Sequence, residues 1–172
     1  MSGPVEILEA LEALARAGAP LVVVGVGGIN FYARDASEVV ATEDLDVVLA
    51  PRVETLKTAL AVLDGLGFSF TAGDEPFLDI RDDAILANAV RAGACVCARH
   101  ESGAALDLML SGMGLAWDEL NADAVSFRVG EMEIRVGRLE RLLRAKELAG
   151  RPKDVEFLRM FAARFADEDR ES

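Results

Sequence analysis

The stretch Leu21-Val22-Val23-Val24-Gly25-Val26, closed by Pro20 on one side and by Gly27-Gly28 on the other, restricts the fold more than any other part of the chain. It is too short for a helix of its own and is aliphatic at every position except the glycine, so it reads as a strand buried on both faces. A strand of that kind needs apolar cover above and below. The chain must therefore build a layered structure in which helices pack on a sheet.

The flanking segments supply those helices. Over residues 4–17 the apolar residues Ile7, Leu8, Leu11, Leu14 and Ala15 recur at helical spacing, and Gly18 and Pro20 end the pattern. A second helix is expected to start at Gly25, Gly27 and Gly28. Residues 43–50 read as the next strand, and after Pro51 a helix carries Val53, Leu56, Leu60 and Leu63 to Gly65 or Gly67. A short strand at 68–71, a polar loop at 73–76 and an extended piece at 77–80 follow. Asp82 or Asp83 can cap a helix to about residue 92. Residues 94–99 and 104–110 flank the turn His100-Glu101-Ser102-Gly103 as a hairpin, and a glycine-spaced loop, Ser111-Gly112-Met113-Gly114, comes next. Residues 126–129 and 132–136 form a second hairpin across Gly130-Glu131. Two helices, 139–149 and about 152–166, close the chain ahead of a charged tail. The expectation is one α+β domain: a mixed sheet with flanking helices over about 20–136, a C-terminal helical pair over about 138–166, and a tail at 167–172.

The 172 residues, 52% of them hydrophobic, suffice for one sizeable core. Thirty acidic residues against 18 basic give a formal charge of −12, which argues against long, nonspecific binding of nucleic acid through a basic surface. No apolar run reaches the roughly 18 to 20 residues of a membrane span, and the first residues lack the basic-then-apolar order of a secretion signal. A cytoplasmic protein without a membrane partner is expected.

Few residues offer nucleophile or base chemistry. His100 is the only histidine and falls in a polar turn, where it reads as a solvated loop residue; this removes most Ser/His and Cys/His hydrolase mechanisms. Cys95 and Cys97 form a C-x-C pair with no second pair to complete a zinc site, and read as reduced thiols on a strand. The aspartates are different. Asp44 and Asp46 lie two apart in a run otherwise made of Leu45, Val47, Val48 and Leu49, so a strand points both carboxylates to one face. Asp107 is again a lone charge in an apolar strand, Ala104-Ala105-Leu106-Asp107-Leu108-Met109-Leu110. Carboxylates so placed repel one another and are costly to desolvate, unless a divalent cation sits between them. Three are the minimum set for two metals about 3.5 to 4 Å apart, the arrangement used in phosphoryl transfer.

In this order, a strand, Gly27-Gly28, a helix, then Thr42-Glu43-Asp44-Leu45-Asp46-Val47-Val48-Leu49 and a later strand with Asp107, the chain resembles the nucleotidyltransferase superfamily with the DNA polymerase beta-like fold. The segment from Leu139 to Asp154, with Lys146 on a helix followed by Arg151-Pro152-Lys153-Asp154, is similar to the closing motif of the AbiEii-type branch, which includes toxins of toxin–antitoxin systems. The likeness runs over about residues 20 to 158. It implies that Gly27 and Gly28 hold a triphosphate and that Asp44, Asp46 and Asp107 hold magnesium in a two-metal site, with Asp107 also a base toward the acceptor hydroxyl. It also implies that Thr42 reaches the nucleotide and that Lys146 and Lys153 reach the nucleotide or organise the site. Val40 stands where relatives often carry an arginine, and Phe157 where the closing motif often has a second acid.

The resemblance implies transfer of a nucleoside monophosphate from a nucleoside triphosphate to an acceptor hydroxyl, on a small molecule, an RNA end or a protein, with release of pyrophosphate. Two alternatives stand beside it. One is the toxin of a toxin–antitoxin pair, with an antitoxin protein as partner. The other is a catalytically weak nucleotide-binding or regulatory module of the same fold.

Overall fold

Leu21–Val24 forms strand β1 and is buried at all four positions, as its composition demands. The computed structural model describes residues 6–39, 44–111 and 116–171. Before β1 comes helix α1 (Ile7–Arg16), and after it the short helix α2 (Gly25–Asn30) and a 3-10 turn at Ala36–Glu38. Then come β2 (Leu45–Leu49), α3 (Val53–Gly65), β3 (Ser69–Ala72), β4 (Glu75–Pro76), α4 (Asp83–Ala92), β5 (Cys95–Arg99) and β6 (Ala105–Met109). The chain closes with α5 (Trp117–Ala122), β7 (Val125–Val129), β8 (Met132–Val136), α6 (Leu139–Ala149) and α7 (Pro152–Glu171). The molecule is α+β, with one mixed sheet of eight strands in the order β4-β3-β5-β6-β2-β1-β8-β7 and helices flanking it.

Both hairpins form where expected, β5 with β6 and β7 with β8. The two parallel contacts, β2 with β6 and β1 with β8, join strands far apart in the chain. Alternate residues of the central strands, Leu45, Val47 and Leu49 with Leu106, Leu108, Val96 and Ala98, belong to one buried cluster. Leu11 and Leu14 of α1, Leu56, Leu60 and Leu63 of α3 and Leu86 of α4 are fully buried in the same cluster. Helix α4 starts at Asp82, whose carboxylate accepts from the Ala84 and Ile85 amides (3.0 and 3.3 Å), and stops at Gly93 (φ +61°). Among the described residues no helix is long and apolar enough to cross a membrane.

Four segments depart from the sequence reading. The strand expected over 21–26 ends at Val24, because Gly25 (φ +69°) turns the chain and Gly25 and Val26 open α2. The extended piece expected at 77–80 lies instead at Glu75–Pro76, because Gly73 takes a left-handed conformation (φ +61°) and turns the chain straight back onto β3. Helix α5 was not anticipated; it is six residues long and anchored by the fully buried Leu120. Residues 167–171, expected as a tail, continue helix α7. Thr42, Val40 and the loop at Gly112, Met113 and Gly114 lie outside the described residues.

Candidate active site

Strands β2 and β6 are each buried at four of five positions, and the exceptions are Asp46 and Asp107. The parallel register sets these two opposite one another. The row continues on both sides: Val24 pairs with Asp46, Cys97 with Asp107, and Thr71 of β3 with Cys97. Register partners share a face, so Thr71, Cys97, Asp107 and Asp46 make a half-buried polar strip across four strands. On that same face Val22, Val24, Val48, Ala105 and Met109 are buried.

The electrostatics of the strip follow from this crowding. Desolvation raises the Asp46 carboxyl to about 6; next in importance are the charge of Asp107 and a side-chain hydrogen bond with it, then the charge of Asp44, while Lys146 opposes the rise. Asp44, one residue before β2, is 3.7 Å from Arg99 Nη1 and a third exposed. Asp46 and Asp107 are thus in direct contact while Asp44 is turned toward Arg99, and the three carboxylates expected to share a site do not all converge within 4.8 Å of one another. Among the described residues, the one set of three metal-ligating groups whose donor atoms all lie within 4.8 Å of one another is Cys95, Cys97 and Asp107. Both cysteines are free thiols, as expected. Although Cys95 as a residue is exposed, desolvation of its thiol, then Cys97 and Asp107, push it up to about 12. Sequence reasoning missed this conjunction. The alternation Cys95-x-Cys97 opposite Asp107-x-Met109 was its only signal, and the register supplied the rest.

A basic group stands beside Asp46. Lys146 of α6 is nearly buried (12% exposed), donates to Asp154 Oδ1 at 3.3 Å, and lies 4.9 Å above the Phe157 ring. Asp154 is 1% exposed and also accepts from Arg151 Nε at 2.6 Å and Nη2 at 3.2 Å. The Arg151 hydrogen bond, aided by Lys146, holds the Asp154 carboxyl below its ordinary value despite burial. The Arg-Pro-Lys-Asp segment therefore serves first to seat Lys146. Phe157 covers the ammonium with a π-face. Lys153 is exposed and makes no hydrogen bond or ion pair with the described residues.

The glycines divide by task. Gly25 (φ +69°) turns the chain from β1 into α2, and a Cβ there would fall 2.6 Å from Asp46 Oδ2. Gly27 and Gly28 are buried: a Cβ would meet Leu45 Cδ1 at 2.3 Å in the first case, and Leu142 Cδ1 and the Val23 carbonyl at 3.1 Å in the second. Their bareness lets α2 press between β1, β2 and α6. Tyr32 anchors the far end of that segment, donating to the Gly137 carbonyl at 2.8 Å and meeting Phe127 edge-on at 5.0 Å. His100 is half-buried rather than solvated, packed on Phe68 (5.3 Å) with Nδ1 accepting from the Ser102 amide at 3.0 Å.

Two surface depressions lie elsewhere. One of about 650 Å³ is lined by Pro51–Glu54, Ala87, Val90 and Arg91; the other, about 320 Å³, runs along Ala15, Gly18–Leu21, Arg52, Trp117, Asn121 and Glu133–Arg135. Neither includes a residue of the polar strip.

Fold and site together define an α+β protein with a carboxylate pair seated in the middle of its sheet. No family model matches the chain, and no curated protein matches it. Among solved structures, the crystal structure of JHP933 from Helicobacter pylori is similar over 80% of this chain and 53% of that one, with 13% identity and a TM-score of 0.38. The chain spans about half the length of that protein.

Proposed function

We propose that this protein is a magnesium-dependent nucleotidyltransferase of the polymerase beta-like fold, which moves a nucleoside monophosphate from a nucleoside triphosphate to an acceptor hydroxyl and releases pyrophosphate. The observation that carries the reading is the register pairing of Asp46 with Asp107, each the one break in the burial of its strand. Two carboxylates about 4 Å apart repel by on the order of 4 kcal/mol at an effective dielectric near 20. That repulsion adds to the desolvation that raises the Asp46 carboxyl. A hard divalent cation relieves it, and oxygen-only donors suit magnesium.

Asp46 and Asp107 would hold the cation, joined by Asp44 from its place beside Arg99. When bound, magnesium supplies charge neutralisation along the triphosphate and at the departing pyrophosphate. Asp107 accepts the proton of the acceptor hydroxyl as its oxygen bonds to the α-phosphorus and the bond to pyrophosphate breaks. Lys146 adds positive potential beside Asp46, and its seat on Asp154 and Phe157 keeps it from collapsing onto that carboxylate. Gly27 and Gly28 at the triphosphate, and Thr42 and Lys153 at the nucleotide, complete the proposal on the strength of the resemblance alone.

One observation favours the weak-module alternative: Lys146 and Arg151, two cations whose charge reaches Asp46, are both engaged by Asp154. Transfer of label from nucleoside triphosphates under magnesium, compared between wild type and Asp46→Ala, tests both. Transfer by the wild type alone supports the enzyme. Nucleotide binding without transfer supports the module, and equally poor binding of magnesium and nucleotide by both proteins removes the enzyme reading.

A further inference from the structure

Cys95, Cys97 and Asp107 form a donor set that differs from the aspartate set by its two sulfurs and shares only Asp107 with it. Cys97 is the register partner of Asp107, and Cys95, two residues earlier on β5, lies on the same face diagonal to it. One ligand atom from each converges within 4.8 Å of the other two. A tetrahedral zinc ion with metal–sulfur bonds near 2.3 Å and metal–oxygen bonds near 2.0 Å sets its donors about 3.5 to 3.8 Å apart, so small side-chain rotations close the set. The backbone of two paired strands holds the three Cβ atoms in place, which limits the ordering needed on binding. Cys95 is exposed and Cys97 half-buried, leaving a way in and an open fourth position. Arg99, next along the same face, is drawn to Asp44 (3.7 Å), which offsets its charge toward an arriving cation.

We propose that Cys95, Cys97 and Asp107 bind a thiophilic divalent cation of the zinc class, and that its occupancy takes Asp107 away from the hard-cation site. Binding involves no redox change: the two thiol protons leave to solvent as the metal–sulfur bonds form. The site is a three-ligand one with a solvent position, rather than a closed structural site with four protein ligands. Because Asp107 belongs to both donor sets, zinc withdraws its charge from magnesium and its lone pair from the acceptor hydroxyl. This inhibitory consequence rests on the nucleotidyl-transfer reading, whereas the cation site does not.

Cobalt(II), added to the reduced, metal-free full-length chain, serves as the spectroscopic probe. One equivalent is expected to produce a thiolate-to-cobalt charge-transfer band and tetrahedral visible absorption, both lost when zinc displaces cobalt. The double substitution Cys95→Ser, Cys97→Ser is expected to abolish the band, and Asp107→Asn, which removes a direct ligand, to weaken cobalt affinity by at least the about 10- to 100-fold typical of losing an outer-shell partner. A wild-type chain that shows no such band at stoichiometric cobalt overturns the site, and unchanged affinity in Asp107→Asn overturns the part given to Asp107. In the transfer assay, one equivalent of zinc is expected to silence the wild type and spare the double-serine variant; equal sensitivity of the two overturns the inhibition. A chain that binds cobalt through its thiols and transfers no nucleotide under magnesium sinks the proposed function and leaves the cation site standing.

Discussion

Asp46 of β2 and Asp107 of β6 are register partners in parallel strands, and burial, reinforced by the charge of Asp107 and a hydrogen bond with it, raises the Asp46 carboxyl to about 6. Parallel strands place such partners on one face with little freedom to separate, so the repulsion is built into the sheet.

Stability should register that pair. The folded chain holds the Asp46 proton more tightly than the unfolded chain, whose carboxyl titrates near 3.8. Its contribution is fully present below about pH 4 and is lost as pH rises through about 6. The full shift corresponds to about 3 kcal/mol, which partial solvent screening reduces to about 1 to 2 kcal/mol. Asp46→Asn is therefore expected to raise Tm at pH 8 by about 2 to 8 °C and to have almost no effect at pH 4. Thermal unfolding across that range checks it, and a gain that is equal at both ends contradicts the assignment.

Magnesium should act at the same place. A cation at about 100 times its Kd stabilises the folded chain by about 2.7 kcal/mol, so wild type at pH 8 should melt several degrees higher with magnesium than without. Asp46→Ala and Asp107→Ala should lose that response, and nucleotide transfer should fall by on the order of 10²- to 10³-fold in each. Retention of the full magnesium shift in both variants would place the cation elsewhere.

Asp154 should be the costliest acid to remove. It is 1% exposed and carries both Lys146 and Arg151, so Asp154→Ala leaves the nearly buried ammonium unpaired. Loss of one partner from a buried pair costs about 3 to 5 kcal/mol, or about 6 to 20 °C in Tm. Restoring much of that loss by adding Lys146→Met identifies the stranded ammonium as the cause. If the second substitution lowers Tm further, the ammonium is stabilised by something other than Asp154.

Two glycines separate backbone strain from contact. Gly25 and Gly73 both have left-handed φ (+69° and +61°), but a Cβ at Gly73 meets nothing within 4 Å while one at Gly25 strikes Asp46 Oδ2. Gly73→Ala should lose about 1 to 2 kcal/mol from strain alone. Gly25→Ala should lose more and should also blunt the magnesium response, measured as the shift in Tm. Equal responses in the two variants would mean that Asp46 moves aside without consequence.

Much of this architecture was legible before any coordinates. The aliphatic run over 21–26 read as a buried strand, which the structure keeps for Leu21–Val24, and the lone aspartates of β2 and β6 stood out against their apolar neighbours. The start of α4 was legible as Asp82 or Asp83, and Asp82 takes the cap, because capping chemistry is local. The six-residue helix α5 escaped notice because a single buried leucine makes no periodicity. The 75–76 strand was displaced in the reading because Gly73 could turn the chain at once or let it run on.

What the chain determined alone was most of its elements and the placing of isolated carboxylates in apolar strands, since periodicity and turn chemistry act over a few residues. Which carboxylates meet was decided only by the tertiary structure. The pairing of β2 with β6 spans 61 residues between Asp46 and Asp107 and is chosen by the collapse of a shared core. The same register put Cys97 against Asp107, and the fold of α6 onto α7 seated Lys146 on Asp154 and Phe157. Such contacts depend on how faces pack, and no local pattern in the sequence encodes them.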